Sequence, residues 1–108
     1  MISHELVAPH LMVVEVANIL RRFVRADVIT EAEAGMAHGD LLRLRVQLFD
    51  YAPLAERVWA LRNNVTAYDA LYVALAERLD APLATLDRRL TTAAGPTCRF
   101  LQPPPLSD

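Results

Sequence analysis

Lysine is missing altogether. All eleven basic residues are Arg, set against thirteen acids, and the net charge is −2. Overall charge therefore does not draw this chain to nucleic acid, and any such attraction must come from a local Arg patch. Cysteine is nearly missing too. Cys98 stands alone, which excludes an intrachain disulfide and a Cys-rich zinc site. It reads as a small buried hydrophobe. The three glycines form no phosphate-cradling loop. Long apolar runs are also lacking. The longest, such as 6–14, reach about nine residues, where a membrane span needs roughly 18–20. The start has no positive n-region and carries Glu5 early, unlike a signal peptide. These gaps predict a soluble cytoplasmic protein with no membrane partner.

What remains is rich in core-forming residues. The chain is 54% apolar and 22% charged over 108 residues, enough for one small domain. That domain is expected over 1–102, followed by an extended Pro-rich tail at 103–108. The first residues, 5–8, suit a very short strand. Pro9 suits the first turn of a helix running to about Ala26, with Leu11, Met12, Val16, Ile19, Leu20 and Phe23 at helical spacing. Thr30 followed by Glu33 is a capping-box pattern and predicts a helix over 31–42, weakened by Gly35 and Gly39. A strand is expected at 45–51 and a helix from Pro53 to about Arg62, ended by Asn63 and Asn64. Thr66 and Asp69 repeat the capping pattern ahead of an Ala- and Leu-rich helix over 67–79. Pro82 breaks it. A buried strand at 83–86, a short helix at 88–93 and a last strand at 99–101 complete the order. Strands alternating with helices predict an α/β fold with a parallel sheet.

Three acids sit in apolar surroundings. Glu15 lies among Val13, Val14 and Val16, with Leu11 and Ile19 one turn away; Asp69 lies in an Ala/Tyr/Leu/Val run; Asp87 follows a strand at its carboxyl end. Open parallel sheets bind ligands at that end of their strands. Each acid also has a purely structural reading. Asp69 suits the third helical position of a capping box, Asp87 suits an N-cap, and Glu15 suits the edge of an apolar stripe, reaching solvent or pairing with an Arg. If they converge, their chemistry is that of a hard metal such as Mg²⁺ or Mn²⁺. Two carboxylates about 4 Å apart repel by roughly 4 kcal/mol at an effective dielectric near 20. A divalent cation reverses that balance. Arg88 and Arg89, directly after Asp87, suit a backbone phosphate or a solvated helix turn. His4, His10 and His38 lack metal-ligand spacing, and Trp59, Tyr68 and Tyr72 read as core rather than as base-stacking platforms.

Three blocks carry a resemblance. The stretch APHLMVVEVANILRR at 8–22 resembles the second-acid helix of PIN-domain toxins of the VapC type. NNVTAYDALYVALAE at 63–77 resembles their third-acid helix, and PLATLDRRL at 82–90 their fourth-acid turn. Order and spacing agree across nearly the whole chain. The resemblance implies a three-layer α/β/α sandwich around a parallel sheet. It implies Mg²⁺- or Mn²⁺-dependent endoribonuclease cleavage of structured RNA, such as transfer or ribosomal RNA, by water activated in an acidic cluster. It also implies a cognate antitoxin whose tail blocks the acidic site, and a homodimer. Glu15, Asp69 and Asp87 carry over as the catalytic and metal-binding acids. Thr66 and Thr85 match the small hydroxyl positions that support them.

The family pattern begins with a strand ending in Asp, and nothing ahead of Glu15 looks like that strand. The fold is accordingly expected to be N-terminally truncated, lacking the first acid and leaving strand edges open to exchange between chains. The alternative function is a catalytically impaired module that binds an antitoxin without cleaving RNA, through a surface rich in Leu, Val and Trp59.

Overall fold

The computed structural model describes residues 6–85 and 87–102. The expected strand start at Glu5, the strand end at Leu86 and the 103–108 tail lie outside the described residues. The rest falls into two compact units, one ending at Phe49 and one beginning at Asp50.

In the first unit, β1 (Leu6–Pro9) and β2 (Val46–Phe49) pair in parallel, with Leu6 opposite Val46 and Pro9 opposite Phe49. The crossover between them is two helices, α1 (Leu11–Arg25) and α2 (Glu31–Arg43). Pro9 is placed differently from the sequence expectation: it ends the strand instead of opening the helix. A proline with no N–H is tolerated at a strand end. The next ladder bond comes from the His10 N–H to the Phe49 carbonyl at 3.1 Å, and His10 is the N-cap of α1. Arg22 and Arg25 occupy the last turn of α1, where cations favour the helix dipole. Asp27 then turns the chain in the left-handed region at φ 58°, a conformation Asp tolerates better than most residues. α2 opens on the expected capping box. Thr30 Oγ1 accepts the Glu33 N–H at 3.0 Å, and Glu33 Oε1 accepts the Thr30 N–H at 2.9 Å. Neither α1 nor α2 contains a fully buried residue.

The second unit holds most of the buried apolar residues. A 3₁₀ turn (Ala52–Leu54) leads into α3 (Ala55–Ala60), so the expected helix from Pro53 comes in two pieces. α4 (Ala67–Leu79) is the central element. Ala70, Leu71, Val73, Ala74, Leu75 and Ala76 are all buried. Its alanines allow close approach, and α4 packs against α3 on one side and β3 on another. Leu54, Val58 and Leu61 face it from the preceding segment. Asp80, left-handed at φ 49°, ends α4 two residues before Pro82. β3 (Leu83–Ala84) and β4 (Phe100–Leu101) form a second parallel pair, extended by the Thr85 N–H to the Leu101 carbonyl at 3.0 Å. α5 (Arg88–Thr92) lies between them. Strands pair in parallel in both units, as the alternation of elements predicts, but among the described residues they form two two-stranded sheets where one sheet was expected. Among the described residues, no helix is long and apolar enough to cross a membrane.

A carboxylate clasp ties this unit together. Glu77 accepts two bonds from Arg57, at 2.6 and 3.1 Å, and two from Thr97, N–H at 2.7 Å and Oγ1 at 3.0 Å. Arg57 also donates to the Gly95 carbonyl at 2.8 Å. α3, α4 and the loop before β4 thus meet on one side chain.

Candidate active site

Thr66 is the N-cap of α4, and its Oγ1 accepts the Asp69 N–H at 3.1 Å. In α4 only this half of the capping exchange is present. An aspartate is one methylene shorter than the glutamate that completes the box in α2. Asp69, half-buried on the first turn, presents its carboxylate to a cleft instead.

Asp87 reaches the same cleft from β3. Its N–H donates to Thr85 Oγ1 at 3.0 Å, which fixes the turn at the carboxyl end of the strand. Its carboxylate accepts the Arg89 N–H at 2.9 Å and so caps α5. The Arg89 guanidinium stands 3.7 Å from that carboxylate with its side chain 95% exposed. An ion pair so exposed contributes little and leaves Arg89 free to meet another anion.

The cleft has a volume of about 480 Å³. Asp69, Asp87, Arg62, Arg89, Asn63, Asn64 and Thr66 are among the residues that line it. A second hollow of about 350 Å³, lined by Tyr72, Leu83 and Thr85, shares Asp69, Asp87 and Leu90 with the first. Asp69 and Asp87 therefore line both hollows. Gly95 packs against Leu61 and Asn64, the latter one of the cleft residues. At its φ of +106°, an added Cβ would stand 2.9 Å from Leu61 Cδ2 and 3.0 Å from Asn64 Nδ2. Arg57, bound to Glu77, donates to the Gly95 carbonyl and holds this loop in place.

Of the residues singled out in the sequence, Asp69, Asp87, Thr66, Thr85 and Arg89 are gathered here. Arg88 is exposed on α5 and does not line either hollow. Glu15 is half-buried on α1, in the first unit. Among the described residues, no group of three or more His, Cys, Asp or Glu is close enough together to hold a metal. Sequence reasoning assigned Asn63 and Asn64 no site role and passed over Arg62, yet all three line the cleft. Their position directly ahead of the Thr66 cap was the available signal. Trp59 is a correction: it is 66% exposed, not core, and Tyr68 is 64% exposed. Cys98 is half-buried where a buried hydrophobe was expected, and burial raises the pKa of its thiol.

The PIN domain family model matches residues 1–96. Ribonuclease VapC1 of Mycobacterium tuberculosis is 50% identical over 94 residues, covering 86% of this chain and 71% of the relative. Ribonuclease VapC9 of the same species is 40% identical over 96 residues, covering 89% and 76%. Ribonuclease VapC3 of Pyrobaculum aerophilum is 37% identical over 92 residues, covering 82% and 70%. This chain is a PIN-domain protein of the VapC type. Its helices and parallel strand pairs are those of the α/β PIN fold, and the cleft with Asp69 and Asp87 lies within the matched segment.

The donor set of this PIN domain fits a hard divalent cation. Mg²⁺ commonly takes one or two protein carboxylates and completes its shell with water and substrate phosphate. Two half-buried carboxylates lining one cleft, with side-chain amides also lining it, supply that set.

Proposed function

We propose that this chain is an Mg²⁺- or Mn²⁺-dependent endoribonuclease toxin that cleaves structured RNA, transfer or ribosomal, and is held in check by a cognate antitoxin. A homodimer in the cytoplasm is part of the same reading. The observation that carries it is one cleft lined by two carboxylates and two arginines, in a chain whose relatives are named ribonucleases.

Asp69 and Asp87 hold the cation. When bound, it offsets their repulsion and supplies Lewis-acid polarisation of a phosphate. Thr66 and Thr85 position the two acids through their backbone N–H groups. Arg62 and Arg89 line the cleft and orient the RNA backbone, since a guanidinium matches phosphate oxygens in pairs. Arg88, exposed on α5 next to Arg89, supplies a further phosphate contact. Glu15 enters as the third catalytic acid on the family match, and Glu15→Gln tests it separately.

Purified chain is incubated with transfer and ribosomal RNA in Mg²⁺ or Mn²⁺, with chelator as control. Cleavage is expected, lost in chelator. Loss of an outer partner of a metal site typically costs 10–100-fold, so Asp69→Asn is expected to cost at least about 100-fold. Cleavage that persists in chelator or in Asp69→Asn contradicts the proposal. A well-folded chain that binds an antitoxin and cuts no RNA would favour the non-catalytic module instead.

A further inference from the structure

We propose that Trp59 is a stacking platform for an unpaired RNA base flanking the scissile phosphate, with Arg62 as the link between platform and cleft. The inference rests on the ribonuclease reading and adds a residue to it.

Trp59 lies on α3 with 66% of its surface exposed. A tryptophan left this open forgoes a large apolar burial. Its ring is already organised for a π partner. The Arg62 guanidinium sits 4.5 Å from the ring centroid and is fixed there by a 2.9 Å bond from Nη1 to the Trp59 carbonyl. Arg62 also lines the cleft that holds Asp69 and Asp87. An aromatic ring, a cation stacked on it and a carboxylate cleft are thus contiguous.

A nucleotide matches this sequence of groups. Its phosphate meets the guanidinium, and its neighbouring base meets the open part of the ring. Base–aromatic stacking assisted by Arg is a common way to bind single strands without reading sequence. Asn63 and Asn64, which also line the cleft, offer amide donors and acceptors to the same strand. The charge also suits a polyanion: with a net charge of −2 overall, the chain still places Arg62 and Arg89 together on this cleft. A base paired in a duplex has no free face, so the strand at Trp59 must be unpaired there.

Trp59 is the one tryptophan of the chain, so intrinsic tryptophan emission reports on it alone. The chain is titrated with a short single-stranded RNA, in chelator and again with Mg²⁺, while anisotropy of the labelled RNA is followed in parallel. Emission is expected to be quenched with the same midpoint as the anisotropy. Trp59→Ala is expected to weaken binding about 10-fold, and Trp59→Phe to keep most of it. The loss in cleavage by Trp59→Ala then falls mainly on KM. Circular dichroism checks that both variants fold. RNA that binds by anisotropy with unchanged emission, and equally to Trp59→Ala, overturns the platform and leaves the ribonuclease reading standing. An emission change produced by an antitoxin but not by RNA also overturns it, assigning the surface to protein. Quenching by RNA in a chain that never cleaves supports the platform and contradicts the ribonuclease reading. No binding in either condition overturns the platform.

Discussion

Asp87 does two jobs at one position, and the two are separable. Its carboxylate caps α5 through the Arg89 N–H, and it lines the cleft beside Asp69. Asn caps a helix about as well as Asp, whereas Ala costs about 1 kcal/mol. Urea denaturation is therefore expected to leave Asp87→Asn within about 0.5 kcal/mol of the parent, and to show Asp87→Ala about 1 kcal/mol less stable. Both variants are expected to lose cleavage. Activity retained in Asp87→Asn would reduce the residue to its cap. Both acids were legible in the sequence because a charged residue in an apolar run is conspicuous, whether as cap or as ligand. Trp59 was not, because aromatic residues at helical spacing are usually core. Yet the buried stripe here is Leu54, Val58 and Leu61. Trp59 is one residue past Val58, about 100° around the helix, so the stripe itself places it off the core.

At the scale of elements, α3, α4 and the loop carrying Gly95 are held by Glu77. The hydrogen bonds from Arg57, and then those from Thr97, hold its carboxyl below the usual glutamate range against the effect of burial. Its folded pKa lies below its unfolded one. The clasp therefore contributes fully above about pH 4.3 and is lost as pH falls through the folded value. Urea denaturation of Glu77→Gln is expected to be less stable than the parent by about 2 kcal/mol near neutral pH, the scale of charge-assisted hydrogen bonds. The difference should shrink as pH drops below about 4. An offset independent of pH would mean that packing, not the carboxylate, accounts for it. This clasp was invisible in the sequence, since its groups lie 20 to 38 positions apart. α2 and α4 were readable almost to the residue. Thr30 and Thr66 announce α2 and α4 through caps, which are local chemistry. Pro9 misled because a proline suits a strand end as readily as a helix start.

For the whole molecule, the parallel direction of the strands followed from the alternation of elements, and both pairs are parallel. Convergence of side chains did not follow, because it depends on where distant segments pack. The structure brings Asp69 and Asp87 into one cleft, with Arg62 and Arg89 also lining it. The central claim is that this cleft holds a divalent cation. An RNA assay tests it only if the right RNA is chosen, whereas metal binding needs no substrate. The decisive measurement is a calorimetric titration of the chain with Mn²⁺, repeated on Asp69→Asn and Asp87→Asn. The account predicts saturable binding by the parent chain that is weakened about 10-fold or more in each variant. A folded parent chain that takes up no Mn²⁺, or that binds it unchanged after both substitutions, would contradict it.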